Sequence, residues 1–339
     1  MRSSSAAGRL ALLVLAALTA LSGLLVLASA TDDAPGDQLV AGAPRVHAAS
    51  SGPAPYATLA AGVRVGIRFK RPPRSGLLFE LPSGRVLWSR GMSRRRPIAS
   101  LTKMMTALLV ADRSTPEERV SITRQALDEP GSQIGVLPPH RSVRLETLLY
   151  GLMLPSGNDA AIALAQHVSG TVPRFVSDMN AEARRLGLGC THYSSPDGLE
   201  DRGNRSCARD LALLAREVLA RRRLARIVRT SVIALPALVP HTVKRGRRKR
   251  TVWRPGRLWL VNNNPLLRGD YPGTTGVKTG YTDAAGRCLV ATVRRRHTSL
   301  GVILLHSPDP GYQAMRLFNR GFRALRLRRA RSAVASPVR

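Results

Sequence analysis

The sequence predicts an α+β fold in which an antiparallel sheet, assembled from both ends of the chain, packs against a helical region. Three observations predict it. Short β-rich runs around turns occur at residues 77–88 and again at 288–305. The stretch between them is dominated by apolar residues at helical spacing, and the chain closes on one more amphipathic helix. With 339 residues and 44% hydrophobic content, the chain is long enough for one large core or two small ones.

Taken in chain order, Arg2 and Arg9 introduce an almost wholly apolar run from Leu10 to Ala28, and Ala28-Ser29-Ala30 has the small residues of a cleavage site. Residues 1–30 are therefore expected to be an export signal removed before Thr31 or, given the length of the run, a retained N-terminal anchor. Either way the remainder is expected outside the cytoplasm. Residues 31–60, rich in Ala, Gly, Pro and Ser, read as a flexible linker, 61–330 as the folded domain and 331–339 as a basic tail. Leu77–Leu81 and Arg85–Trp88 flank Pro82-Ser83-Gly84, which predicts a hairpin. Leu101, Met104, Met105, Leu108 and Leu109 follow the i, i+3, i+4, i+7, i+8 spacing of a helix face. Leu145, Leu148, Leu149 and Leu152 repeat it until Pro155. A helix resumes over Ala160–Val168 behind Asp159, whose carboxylate suits a helix N-terminus, so Ser156–Asn158 should be a turn. Lys-Arg-Gly-Arg-Arg-Lys-Arg at 244–250 predicts an exposed basic loop. Cys288–Val293 and Ser299–Leu305 predict a second hairpin, and Met315, Phe318, Phe322 and Leu325 a basic helix packed on the sheet.

The formal charge is +32, and arginine outnumbers lysine 48 to five. Such a field in an exported protein favours anionic wall polymers or phospholipid head groups, with contacts that weaken as salt rises. No nucleic-acid module is present, and export removes the opportunity, so nucleic acid is not an expected partner. The three cysteines show no Cys-x-x-Cys spacing and the seven histidines no paired spacing, so neither a metal nor a cofactor is expected. A disulfide is expected between Cys190 and Cys207, which flank a short loop-rich segment, whereas Cys288 opens a core strand.

Three short motifs carry chemistry. Ser100-Leu101-Thr102-Lys103 sets a hydroxyl and an amine three apart at the first turn of a helix, so both point to one side. A serine needs a base to become a nucleophile, and a lysine serves only if its surroundings lower its pKa. Ser156-Gly157-Asn158 offers a hydroxyl and an amide from the turn between two helices. Lys278-Thr279-Gly280 follows Gly273–Val277 and precedes the C-terminal hairpin, which predicts a place on or at the end of a strand lining the same cleft. It is not a phosphate loop, which needs Gly directly before the Lys where this chain has Val277. Alone, each motif also describes a capping serine, a polar turn or a surface strand.

In order, the three resemble the motif set of penicillin-binding proteins and class A β-lactamases, with Gly157 at the middle of the second. Residues 97–106, 156–161 and 276–280, with Ser195-Pro196-Asp197-Gly198-Leu199 and Ala208-Arg209-Asp210-Leu211, look like the D-alanyl-D-alanine carboxypeptidases among the low-molecular-mass penicillin-binding proteins. The resemblance spans residues 70–325. It implies a β-lactamase/DD-peptidase-like fold and serine acyl transfer on peptidoglycan stem peptides, with β-lactam antibiotics as acylating ligands. Ser100 would be the nucleophile and Lys103 its base. Ser156 would pass a proton to the leaving amine and Asn158 would hold the substrate amide. Lys278 and Thr279, with Gly280, would bind the terminal carboxylate, and the N–H groups of Ser100 and Tyr281 would form the oxyanion hole.

Two departures stand out. Family members often place an arginine near the start of the last helix, where this chain has Tyr312-Gln313 and, a turn later, Arg316; carboxypeptidase and endopeptidase activity both stay open. Larger members add a C-terminal β-rich domain and anchor, so a tether here is expected at the N-terminus. A β-lactamase using Glu200 and Asn204 is one alternative. A silent wall-binding protein is another, weighed against by two of the five lysines standing in the motifs.

Overall fold

Near-continuous burial along the terminal strands marks a sheet covered on both faces. The structure, a computed structural model, describes residues 64–199, 202–245 and 248–334. Its main sheet is antiparallel, in the order Val86–Arg90, Ser75–Glu80, Thr298–Leu305, Cys288–Arg295, Thr274–Gly280. Both expected hairpins are present and join in the centre, where Leu77 lies opposite Ile303 and Leu78 opposite Val302. Because successive side chains point to opposite faces, Leu77 and Phe79 enter one core and Leu78 the other.

The second face is covered by the helix Pro310–Val334, whose Leu317, Phe318, Phe322 and Leu325 are buried against Leu78, Leu300 and Val302. Met315 packs beside them, half-buried. This helix continues through residues 331–334, the start of the segment expected to be a tail. The expected signal, the whole of the expected linker and the last five residues lie outside the described residues.

The first face packs against the helical region. Its centre is Lys103–Arg113, preceded by a tight 3₁₀ turn over Ala99–Thr102. The spacing predicts one apolar face, yet every residue from Lys103 to Val110 is buried, because the helices Leu145–Met153, Asn158–Ser169, Ala208–Ala220 and Arg222–Val228 enclose it. Each buried Leu or Met contributes about 1.5–3 kcal/mol. The turn expected at Ser156–Asn158 lies between Leu145–Met153 and Asn158–Ser169, and Asp159 accepts the N–H of Ala160 at 2.8 Å.

Lys244, Arg245 and residues 248–250, expected in an exposed loop, lie instead on the paired strands of a two-stranded ribbon, Val232–Arg245 with Arg248–Val261. Pro236, Pro240, Pro255 and Gly256 hide this ribbon in the sequence, since proline breaks a strand pattern. In a ribbon each strand has a free edge, so a missing N–H is tolerated.

The disulfide joins Cys190 to Cys207, 17 residues apart, with Cα atoms 5.6 Å from one another. Closing a loop of this length contributes about 3 kcal/mol through the unfolded state. Changing both cysteines to alanine should lower unfolding stability by about that amount in denaturant titrations; an unchanged midpoint would refute the contribution.

Candidate active site

The three motifs, 178 residues apart from Ser100 to Lys278, come together at one cleft. Ser100 lies in the turn before the central helix, and Ala99 just ahead of it has φ +48°. Ser156 also sits at positive φ, +74°. An L-residue reaches this region only when its surroundings hold it there, so both hydroxyls stand on constrained backbone. Gly280, at the end of its strand, faces the nucleophile's turn. A Cβ there would meet Ile98 O at 3.0 Å and Ser100 N at 3.1 Å, so the approach requires glycine. The close contact sets Ser100 and Tyr281 in the lining of one cleft.

Lys103 is wholly buried. Its Nζ lies 2.9 Å from Ser100 Oγ and donates to Asn158 Oδ1 at 2.6 Å and to the Asp197 carbonyl at 2.8 Å. A neutral amine has two N–H bonds and one lone pair. The two carbonyl acceptors account for both N–H bonds, which leaves the lone pair facing Ser100 Oγ. Burial lowers the Lys103 pKa to about 8, against the opposing pull of Asp197, Asp159 and Glu129. Lys278 is buried too, and burial together with the charge of Lys103 pushes its pKa well below the usual lysine value. Its ammonium donates to Thr279 O at 3.0 Å.

Asn158 is committed at both ends of its amide, since Nδ2 donates to Pro130 O at 2.6 Å while Oδ1 receives Lys103. Its backbone N–H donates to Ser132 O, and the Asp159 carboxylate accepts the N–H groups of Ile134 and Gly135. The segment 130–135 is thereby fastened to the start of the Asn158 helix. Asp159 itself is shifted up by burial, an effect those N–H bonds oppose. Ser156 Oγ is buried and, among the described residues, has no hydrogen-bond partner.

The cleft has a volume of about 400 Å³, with Ser100, Ser132, Ser156, Asn263, Thr279 and Tyr281 in its lining. Lys278 does not reach that lining; Arg287 does, opposite in charge to Asp309 nearby in the wall. Sequence reasoning missed Arg287, Ser132 and Asn263 because nothing in their local pattern marks them. It missed Glu129 as well. Burial and the neighbouring Asp197 carboxylate raise the pKa of Glu129 to about 7. Glu200 lies outside the described residues, and Asn204 is occupied in bonding Ser194 and Ser195. Cys190, Cys207 and Asp210 bring atoms of metal-ligand type within 4.8 Å, but the sulfurs are joined in the disulfide.

Comparison with known proteins agrees with this arrangement. Residues 72–308 match the family model for D-alanyl-D-alanine carboxypeptidases. Bacillus subtilis DacF, a D-alanyl-D-alanine carboxypeptidase, is 34% identical over 242 residues, 70% of this chain and 58% of its own length. The chain therefore spans less than two thirds of that relative. Mycobacterium tuberculosis DacB2, of the same description, is 32% identical over 74% of this chain and 82% of its own length. The solved structure of the Streptomyces K15 DD-transpeptidase superposes with a TM-score of 0.68 at 29% identity, covering 76% of this chain and 99% of that one. By sequence, fold and the convergence of its motifs, this chain belongs to the D-alanyl-D-alanine carboxypeptidase family.

Proposed function

We propose that the protein is an exported serine D-Ala-D-Ala carboxypeptidase acting on peptidoglycan stem peptides. The observation that carries this reading is the buried Lys103 amine, held by two carbonyl acceptors with its remaining position toward Ser100 Oγ. Ser100 attacks the carbonyl between two D-alanines as Lys103 takes its proton. The N–H groups of Ser100 and Tyr281 stabilise the oxyanion. The proton taken by Lys103 passes by way of the Ser156 hydroxyl, buried and unpartnered, to the departing amine; water then gives a proton to Lys103 as it attacks the acyl-enzyme, and that proton returns to Ser100 as the shortened peptide leaves. A β-lactam acylates the same serine. Asn158 acts by holding Lys103 in place, and it faces the substrate only from beside that amine. The export expected from residues 1–30, and the charge of +32, suit an anionic envelope.

A C-terminal carboxylate needs a cation that stays charged. Lys278 is buried, its pKa lowered by that burial and by Lys103, and it supports the strand end at Thr279, while Arg287 and Thr279 line the cleft and hold the carboxylate. Charged hydrogen bonds of this kind are worth enough that Arg287→Gln should raise KM about tenfold to a hundredfold with little change in kcat. Arg287→Lys should recover part of the loss. Steady-state kinetics on a peptide ending in D-Ala-D-Ala decide it, and a fall in kcat alone would remove Arg287 from this role.

The overall activity is tested by mass analysis of a pentapeptide ending in D-Ala-D-Ala after incubation with the protein. The expected products are the tetrapeptide and free D-alanine. An intact pentapeptide refutes the reading, and ligation to an added amine would make the protein a transpeptidase.

A further inference from the structure

The ribbon Val232–Arg245 and Arg248–Val261 takes no part in the site, and its composition is one-sided. Between Val232 and Val261 the chain carries eight lysines and arginines and not one aspartate or glutamate. The register sets Lys244 directly opposite Lys249 and Arg245 opposite Arg248. Like charges placed opposite one another destabilise an antiparallel pair. Among the described residues no ion pair reaches any ribbon cation. The tip is therefore under electrostatic repulsion that a bound polyanion would relieve.

The distribution of these charges distinguishes between anionic partners. Side chains alternate along a strand, so Arg248, Arg250 and Arg254 fall on one face while Lys249 and Arg257, with Lys244 across the register, fall on the other. A planar bilayer meets one face of a ribbon, whereas a linear chain of phosphates can pass over both. Apart from Val243, the exposed apolar residues Val232, Trp259 and Val261 stand at the far end from the tip, leaving the cationic end little apolar surface to insert into lipid. The ribbon is about 45 Å long. Its second strand runs straight into Asn262 and Asn263, the latter in the cleft wall.

We propose that this ribbon is a docking arm for a linear phosphodiester polyanion of the poly(glycerol phosphate) type, which holds the cleft close to the anionic matrix that carries the polymer. The contact is independent of the acyl-transfer chemistry and goes beyond the enzymatic reading.

The test is fluorescence polarisation of labelled poly(glycerol phosphate) with the full chain across a salt series. Two variants remove the same charge: Arg248→Ser, Lys249→Ser, Arg250→Ser on the ribbon, and Arg320→Ser, Arg323→Ser, Arg326→Ser on the exposed side of the last helix. The ribbon triple should bind about tenfold more weakly or worse with a shallower salt dependence, and the helix triple should stay within about twofold of the parent. Polymer should raise the melting temperature of the parent and leave that of the ribbon triple unmoved, a reading that also shows the variant to be folded. Equal weakening in both triples would replace the arm by a diffuse field. Tighter binding of phosphatidylglycerol vesicles than of polymer, lost in the ribbon triple, would make the partner a bilayer, and absence of binding by the parent at physiological salt would end the proposal. Neither D-alanine release nor penicillin labelling enters these measurements, so failure of the enzymatic reading is recognised separately.

Discussion

Ser100→Ala should abolish both the covalent penicillin adduct and the release of D-alanine. Penicillins present a strained amide beside a carboxylate, as the acyl-D-Ala-D-Ala end does, so they should enter the same cleft and acylate the same oxygen. Removing that oxygen removes the covalent route, and the rate should fall on the order of 10⁴-fold or more. The fold should survive, since the Ser100 Oγ hydrogen bond is shared only with Lys103, which retains Asn158 and the Asp197 carbonyl. Mass spectrometry after penicillin treatment gives the answer. The parent should carry one adduct on the peptide containing Ser100 and the variant none. An adduct on another residue, or full labelling of Ser100→Ala, would overturn the mechanism.

Lys103→Ala should be nearly as severe, with a loss of about 10² to 10⁴-fold in kcat/KM, the range a positioned base supplies. Its pH dependence separates a base from a structural lysine. The active form is the neutral amine, and the Lys103 pKa is lowered to about 8. The parent's kcat/KM should therefore climb with pH, about tenfold per unit below 8, and level off above it. Lys103→Ala should lack that limb. Glu129 supplies a second test, because a carboxylate near Lys103 favours the charged ammonium. Glu129→Gln removes that charge, lowers the Lys103 pKa further and should move the limb to lower pH. A parent profile flat between pH 6 and 9, or a limb moving upward in Glu129→Gln, would exclude Lys103 as the base.

Much of this was legible in the residues. The terminal hairpins declare themselves through short β-rich runs flanking a turn, and the central helix through the spacing of Leu101, Met104, Leu108 and their neighbours. The motif serines and lysines stand out because each needs a partner of the other kind, at a spacing or turn that presents both. What stayed hidden depends on contacts between distant segments. Arg287 looks like any other arginine in a chain with 48 of them, and only the meeting of its segment with Pro308, whose carbonyl its guanidinium reaches, sets it in the cleft wall. Lys278 was expected to face the substrate, but alternation along its strand cannot say how deep a side chain lies, and the structure buries it. Asn158 was expected to touch substrate; the loop at 130–132 engages its amide instead, a contact no local pattern encodes. The ribbon was hidden for the opposite reason, because its prolines and glycine argue locally against the strands it forms.

The central seam of the sheet joins Ser75–Glu80 to Thr298–Leu305, more than 200 residues later in the chain. Contacts of such long separation form slowly, because the intervening chain must be drawn together before they stabilise anything. Gly280, whose approach completes the pocket beside Ser100, stands on a strand held by that C-terminal hairpin. The nucleophile and its base are close neighbours on one helix, but the wall that would hold a substrate against them arrives with the last quarter of the polypeptide. A chain emerging from the ribosome thus carries Ser100 with no finished pocket, and the pocket is complete only once the C-terminal hairpin has paired.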